Sequence, residues 1–364
     1  DSNKLQNVFS SGKSIVSFVI TILVDREYIT YNQKIVEIWP EFGSNGKENI
    51  TIAHLMRHEA GLYDFNQSIY LNDISEYNLK TNKLSKIIEN QKPRHKEGIN
   101  RVYHSITRGW IVNEILRRVD PKHRNMNQFI KDEIAGPLKI GNQISVGLPR
   151  ELWHLDTSIK IKPLYKTWFH YLINIFKKNT INHSWKVNLL IILGIPLIFI
   201  KNILYSLLYP FISQKNKSIL KFSDDTKCDN IQHISHPQWK LAQIPSGNIH
   251  ASARALAKIA NCLVSDNNNI ISKKGLDLAD KGIVVKKMFC GFMNSSFCNA
   301  GWNHFSKDRF EFKGWMGAGG SIMQWHSKYK IAFSYTMNLM EITPKCLRAF
   351  KLQQILIECL EYNR

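Results

Sequence analysis

An apolar helical pattern that begins at Ser10 constrains the fold of this chain more than any other feature of its sequence. From Ser10 to about Glu27, apolar side chains recur at spacings of three and four, on one face of a predicted helix: Ile15, Phe18, Val19, Ile22 and Leu23. Such a face has to pack against a core. With 364 residues, the chain is long enough to build that core in one large domain or two modest ones.

The composition is that of a globular protein, with 44% hydrophobic and 21% charged residues. The net charge of +20 would suit nucleic acid or anionic lipid. However, the basic residues are spread along the chain without an arginine-rich run or a zinc-finger spacing, which argues against nucleic-acid binding. The 6 cysteines include no C-x-x-C pair, so neither a metal nor a cofactor is indicated, and their even number leaves disulfides open.

Further helices and strands are predicted along the chain. Thr51 is a suitable N-cap for a helix that ends by Gly61. The apolar periodicities predict helices at residues 50–58, 84–90, 106–119, 126–135, 251–263 and 347–362, and strands within 312–325 and 330–340.

A serine and a lysine three positions apart lie one turn from each other on the same face of a helix. If burial holds the lysine neutral, its amine can take the serine proton and activate the hydroxyl as a nucleophile. The chain contains this spacing at Ser10/Lys13, Ser44/Lys47 and Ser327/Lys330. Only the first pair opens an apolar-periodic helix. On the spacing alone, Ser10 can equally be a helix cap and Lys13 a solvated lysine.

Longer segments resemble the β-lactamase-related serine hydrolases, the family of class C β-lactamases, DD-peptidases and bacterial esterases. Residues 51–62 are similar to the family's His-Leu-Leu-x-His-x-x-Gly-Leu signature. The other matching segments follow in the family's order: Phe9-Ser10-Ser11-Gly12-Lys13-Ser14, residues 33–42, Tyr103-His104-Ser105, Pro137-Leu138, residues 147–149 and residues 244–255. The resemblance implies an α+β fold of the β-lactamase/transpeptidase type, an antiparallel sheet flanked by helices with an additional helical region.

The resemblance also implies the roles of individual residues. Ser10 would be the nucleophile, and Lys13 would share the general-base role with Tyr103, whose phenolate the neighbouring cations are expected to favour. Ser105 would bind the substrate or Lys13 through a hydrogen bond. Tyr70 opens a second Tyr-x-Asn match, but only Tyr103 follows Gly98 by five residues and precedes a helix.

The glycine-rich segment 313–321 stands where the family has Lys-Thr-Gly or His-x-Gly on a strand that lines the site. Gly317 and Ala318 would line the substrate site, with the Ala318 N–H paired with that of Ser10 in an oxyanion hole. Trp315 occupies the place of the lysine or histidine, and indole can neither carry a positive charge nor accept a proton. Gly12 is a second departure, because glycine weakens a helix by about 1 kcal/mol relative to alanine.

An apolar insert at about residues 157–233 interrupts what is otherwise a single domain over residues 1–364. Leu189 to Ile200 carries no charge, yet it is too short to span a bilayer, which needs about 20 residues of helix. We therefore hypothesise that residues 186–213 lie on a membrane surface; a buried packing element or a dimer contact is the alternative. Only nine residues precede Ser10. We expect the family's strands before the nucleophile to be missing.

Two functions follow from this sequence. The first is a serine hydrolase that acts on a small-molecule or lipid-like ester or amide through an acyl-enzyme, in association with a membrane. The second is a catalytically inactive relative that serves as a membrane-associated binding or scaffold protein. Trp315 and Gly12 favour the second function, and the intact Ser10, Lys13 and Tyr103 favour the first.

Overall fold

The computed structural model describes residues 2–157, 159–161, 220–228, 231–266, 268–288, 293–305, 310–340 and 347–362. The apolar run from Leu189 to Ile200 and the whole of residues 186–213 lie outside these ranges, so the membrane-surface hypothesis is not tested by the structure. No helix within the described ranges is both long enough and apolar enough to cross a bilayer.

All of the predicted helices are present, but the one predicted over 126–135 is an α-helix only to Ile130 and continues as a π-helix over Lys131–Ala135, and the helices Pro237–Leu241 and Lys273–Asp280 were not predicted. The bounds of the α-helices are α1 Gly12–Asp25, α2 Ile52–Met56, α3 Lys83–Asn90, α4 Thr107–Val119, α5 Met126–Ile130, α6 Pro237–Leu241, α7 Ala253–Asn261, α8 Lys273–Asp280 and α9 Leu347–Tyr362. The Thr51 hydroxyl accepts from the backbone N–H of His54, which confirms the predicted cap. The helix expected at 251–263 starts later because Ala251 is paired in a strand and Ser252 forms the cap.

The strands are short and are mostly antiparallel. Their bounds are β1 Gln6–Asn7, β2 Ile69–Tyr70, β3 Ile144–Val146, β4 Lys160–Ile161, β5 Leu220–Lys221, β6 Ile249–Ala251, β7 Val284–Met288, β8 Met293–Phe297, β9 Asn303–His304, β10 Lys313–Met316, β11 Ile322–His326, β12 Ile331–Tyr335 and β13 Leu339–Met340. Strands β7 to β12 form one antiparallel sheet in the spatial order β12-β11-β10-β9-β8-β7. Strands β1, β6 and β3 form a second antiparallel sheet, so a short strand does precede Ser10.

Short strands near the two ends of the apolar insert pair with the rest of the chain. Strand β4, in its N-terminal part, runs parallel to β13, and β5, in its C-terminal part, runs parallel to β2.

Helix α1 is the centre of the molecule. All of its residues from Gly12 to Val24 are buried, and it contacts β10 and β11 of the larger sheet as well as α4 and α8. Helix α7 packs on β11 and β12. This arrangement of an antiparallel sheet with flanking helices confirms the predicted α+β class. It also places the start of α1 against the turn between β10 and β11.

Candidate active site

A strained turn precedes Ser10. Phe9 has a φ of 47°, in the left-handed region that a bulky side chain rarely adopts. The turn is held by Asn7, whose Oδ1 accepts from the Phe9 N–H at 2.8 Å and whose Nδ2 donates to Asn248 Oδ1 at 3.0 Å. Asn248 is fixed in turn by the carbonyls of Trp239 and Ala242. A tertiary network therefore supports the conformation that presents Ser10.

The structure brings Ser10, Lys13 and Tyr103 together. Ser10 Oγ lies 2.6 Å from the Tyr103 hydroxyl, and Lys13 Nζ lies 3.2 Å from Ser10 Oγ. Ser10 sits in the short 3₁₀ turn just before α1 and is only partly buried, whereas Lys13 has no exposed surface. A partly exposed hydroxyl thus faces a buried amine and a partly buried phenol that can exchange a proton with it.

The amine of Lys13 binds neutral acceptors. Its Nζ donates to the carbonyl oxygens of Ser105 at 2.7 Å and Ser246 at 2.8 Å, and the lone pair of a neutral amine would face Ser10 Oγ at 3.2 Å. Burial, with a smaller effect of the Arg108 guanidinium, holds the pKa of Lys13 well below its ordinary value of 10.5. A neutral amine at this position can accept a proton from Ser10.

Tyr103 is a neutral phenol at rest. Burial raises the pKa of Tyr103 to about 12, although the hydrogen bond to Ser10 and the Arg108 charge both lower it. The expectation that neighbouring cations would favour the phenolate is therefore wrong, because desolvation of the anion outweighs their attraction. The phenol can still pass a proton between Ser10 and a leaving group.

The hairpin of β10 and β11 is joined to the start of α1. The Ser14 hydroxyl accepts from the Trp315 N–H at 3.0 Å and donates to the carbonyl of Met323 at 3.1 Å. Gly317 packs so closely that a β-carbon there would collide with the carbonyl of Val8. The next residue, Ala318, is exposed. Gly317 therefore lies against the turn that carries Ser10, and the role of Gly317 and Ala318 in a substrate site stays a prediction.

Trp315 is a buried part of the site floor and is not a solvent-facing side chain. Its indole N–H donates to the carbonyl of Gly301 at 2.8 Å, and its ring stacks on Phe297 with centroids 5.2 Å apart. Lys13 Nζ lies 5.8 Å and the Tyr103 ring 5.8 Å from the indole centroid. The strand position of Trp315 therefore carries no charge, as the sequence predicted. The indole there contacts the groups around Ser10.

Two other predicted features have structural explanations. Ser105 contacts Lys13 through its backbone carbonyl, and its side chain is exposed towards solvent. Gly12 packs closely, because a β-carbon there would lie 3.0 Å from Cδ1 of Ile249 in β6, and the Ile249 side chain would have to shift. Glycine at this position therefore allows α1 to approach the smaller sheet.

The competing motifs are engaged elsewhere in the fold. Lys47 donates to the carbonyl of Ser44 and to those of Glu89 and Gln91, which makes it a buried link between loops. Lys330 forms an ion pair with Asp266 at the surface. The Tyr70 hydroxyl donates to Asp225 at 2.6 Å.

Asp280, Cys298 and His304 are the one group in the described part of the chain with ligand atoms close enough to hold a metal ion, within 4.8 Å of one another. The Asp280 carboxylate already accepts from the indole N–H of Trp302 and from Lys313, which lies in direct contact with it. The cluster is accordingly a partly buried ion-pair network.

Several residues of the site were not found from the sequence. Arg108 lies on α4 behind Lys13, Ser321 on the β10–β11 hairpin contacts the Ser10 turn, and the Ser246 carbonyl binds Lys13. Ser246 lies within residues 244–255, which resemble the family, but it binds Lys13 through its backbone carbonyl. Any residue type has this carbonyl, so the sequence does not indicate the contact. Arg108 is five residues after Tyr103, on the helix that the sequence predicted.

A profile of the family described as Beta-lactamase matches residues 1–355. The chain belongs to the β-lactamase family. A curated relative, the esterase/beta-lactamase LipL of Mycobacterium tuberculosis, is 33% identical over 131 residues, which are 36% of this chain and 29% of the relative. The chain thus spans less than a third of the length of that relative.

Solved structures share the fold of this family member over almost its whole length. A family VIII carboxylesterase is 22% identical with a TM-score of 0.71, covering 96% of this chain and 83% of its own. A penicillin-binding protein homologue from Caulobacter crescentus is 20% identical with a TM-score of 0.68, covering 96% and 83%. EstA from Arthrobacter nitroguajacolicus is 18% identical with a TM-score of 0.70, covering 98% and 84%. At these identities the likeness shows the fold.

Proposed function

We propose that this β-lactamase-family protein is a serine hydrolase that cleaves neutral carboxylic esters through an acyl-enzyme on Ser10. The observation that carries the proposal is the contact of Ser10 Oγ with both a neutral amine, Lys13 Nζ at 3.2 Å, and a neutral phenol, Tyr103 at 2.6 Å. A base and a proton carrier on one hydroxyl are what nucleophilic catalysis of acyl transfer needs.

In the proposed reaction, Ser10 Oγ attacks the carbonyl carbon while its proton moves to the Lys13 amine. The backbone N–H groups of Ser10 and Ala318 stabilise the oxyanion of the tetrahedral intermediate. Collapse of this intermediate breaks the bond to the leaving group, which takes a proton from Tyr103 while the proton held by Lys13 passes to Tyr103, so that Lys13 is neutral again. Water then attacks the acyl-serine ester and gives a proton to Lys13. Collapse of the second tetrahedral intermediate breaks the bond to Ser10 Oγ, which takes the proton back from Lys13, and the carboxylic acid leaves.

The lack of charge at Trp315 supports an ester over an anionic substrate. Its indole nitrogen is committed to the carbonyl of Gly301, and its ring is stacked on Phe297. At this position the strand therefore offers no cation to a substrate carboxylate such as that of a penicillin. An uncharged ester or amide avoids burying an unpaired carboxylate against an aromatic surface.

The alternative of an inactive scaffold is less well supported, because an inactive relative has no need to keep a buried neutral lysine next to a serine. The membrane association of this function stays a prediction, since residues 186–213 lie outside the described ranges.

A fluorophosphonate probe tests the proposal, because it forms a covalent adduct with an activated serine. We expect mass spectrometry to locate the adduct on Ser10, and Ser10→Ala to abolish it. Ser44→Ala is the matched control, since it removes the serine of another Ser-x-x-Lys pair and should leave labelling unchanged. A folded protein that is labelled elsewhere, or not at all, would overturn the proposal.

A further inference from the structure

Arg108 is a buried cation without an acidic partner. Its side chain has no exposed surface, and its guanidinium donates to backbone carbonyls: Met56 at 3.0 Å, Gly301 at 3.3 Å and Lys13 at 3.0 Å. Within the described ranges, no carboxylate forms an ion pair with it. Buried arginines usually pair with a carboxylate, as Arg101 does with Glu59 at 2.6 Å. A buried charge without a counter-ion is costly unless it serves a purpose.

The guanidinium of Arg108 lies next to Lys13. One guanidinium nitrogen binds the Lys13 carbonyl, and both side chains are fully buried. Two buried cations repel, so the weaker base gives up its proton first. Burial lowers the pKa of Arg108 to about 9, which leaves it charged at neutral pH, whereas the pKa of Lys13 is lowered by burial and by Arg108 itself.

Other titratable groups around Lys13 carry no charge. Tyr103 is a neutral phenol, and burial holds the pKa of His104 at about 3 and that of His58 well below its ordinary value of 6.5. Burial also raises the pKa of the Cys298 thiol, near Arg108, to about 12, so this thiol is neutral as well. Of these groups, Arg108 alone is charged at neutral pH.

Trp315 explains how the fold tolerates the charge. The Arg108 guanidinium carbon lies 5.1 Å from the centre of the indole ring, within the range of a cation–π interaction. Tryptophan is the aromatic side chain that binds cations best. The tryptophan that stands in place of a charged residue on β10 thus stabilises the buried Arg108 cation.

We propose that Arg108 is a positioning residue that keeps Lys13 in its neutral, proton-accepting form, with Trp315 holding the guanidinium in place. This inference rests on the proposed function, because it assigns a purpose to a neutral Lys13.

The pH dependence of Ser10 labelling tests the inference in two variants. Arg108→Gln removes the charge but keeps N–H donors for the carbonyls, and Arg108→Met removes both the charge and the donors but keeps the apolar part of the side chain. The rate of fluorophosphonate labelling at Ser10 should rise with pH and level off as Lys13 loses its proton. We expect the midpoint of this rise to move up by about one pH unit or more in both variants, which makes labelling at neutral pH about tenfold slower or more. In Arg254→Gln, which removes an exposed arginine, the midpoint should stay within about 0.3 pH units of the wild type.

A midpoint that is the same in folded Arg108→Gln as in the wild type would overturn the inference, even if the rate fell uniformly, since a uniform fall is the result of a merely structural role. Circular dichroism and thermal unfolding establish folding. If Arg108→Gln does not fold, Arg108→Met carries the test in the same way, and an unchanged midpoint there contradicts a role for the charge. Absence of wild-type labelling at Ser10 at any pH is a different outcome, and it overturns the proposed function itself.

Discussion

The hydroxyl of Ser321 donates to the backbone carbonyl of Val8 at 2.7 Å and thereby joins the β10–β11 hairpin to the turn before the nucleophile. Ser321 Oγ also lies 3.0 Å from Ser11 Oγ, and all of these groups are buried. This pair of contacts fixes the distance between Ser10 and Ala318, the residues whose N–H groups are proposed to bind the oxyanion.

Ser321→Ala should therefore lower both activity and stability. The Val8 carbonyl would keep the Ser11 N–H at 3.1 Å but lose the Ser321 hydroxyl, at about 0.5–1.5 kcal/mol of unfolding free energy, and displacement of the hairpin should slow ester hydrolysis by roughly ten- to a hundredfold. Urea unfolding and kcat/KM for a p-nitrophenyl ester measure the two effects. Ser17→Ala is the matched control, since the Ser17 hydroxyl is buried on α1 and has no hydrogen-bond partner among the described residues. Equal losses in both variants would contradict a specific role of Ser321.

Tyr103→Phe should affect substrates according to their leaving groups. If Tyr103 passes a proton to the departing oxygen, an alkyl ester should lose about 10²–10⁴ in kcat, because an alkoxide needs that proton. A p-nitrophenyl ester should lose much less, because its leaving group departs as an anion. Tyr70→Phe, on the rejected tyrosine, should change neither rate. Equal losses on the two esters would argue against proton transfer by Tyr103.

Acid should destabilise the fold through its buried histidines. Burial lowers the pKa of His104 to about 3 and that of His250 to about 4 from the ordinary 6.5. The His104 ring accepts the Leu62 N–H on Nε2 at 3.1 Å and contacts the Val102 carbonyl through Nδ1 at 2.7 Å, so it fits as a neutral imidazole. Below pH 6.5 the unfolded chain takes up protons that the native state does not, so the free energy of unfolding decreases as the pH is lowered.

Each of these histidines should contribute a loss of roughly 2 kcal/mol between pH 6.5 and about pH 5. Urea unfolding at several pH values gives the slope. His250→Gln should be less steep than the wild type, and His123→Gln, at an exposed position, should match it. A flat stability profile over this window would show that these imidazoles are solvated in the native protein.

Gly12→Ala should destabilise the protein although alanine favours helices. The new methyl group would lie 3.0 Å from Ile249 Cδ1, and overpacking of this kind costs about 1–3 kcal/mol. The double variant Gly12→Ala/Ile249→Val should recover part of the loss because it removes the contacting methyl group. If Gly12→Ala alone raises the free energy of unfolding, helix propensity outweighs the contact.

Local patterns were enough for much of the fold. The terminal helix Leu347–Tyr362 and the helix Lys83–Asn90 lie within a residue of their predicted bounds, because each has a regular apolar face. The helix predicted to start at residue 251 was displaced by strand pairing of Ala251 with Gln6 and Ile144. These partners are distant in the sequence, so no local pattern contains them.

The sequence by itself determined which residues are candidates for the chemistry, since Ser10 and Lys13 owe their proximity to helix geometry and the order of the motifs pointed to Tyr103 rather than Tyr70. The tertiary structure decided the electrostatics. It placed the Tyr103 hydroxyl 2.6 Å from Ser10, removed Lys13 from water and set Arg108 behind it. A pKa depends on burial and on charges that distant segments bring together, and such surroundings exist only in the folded chain.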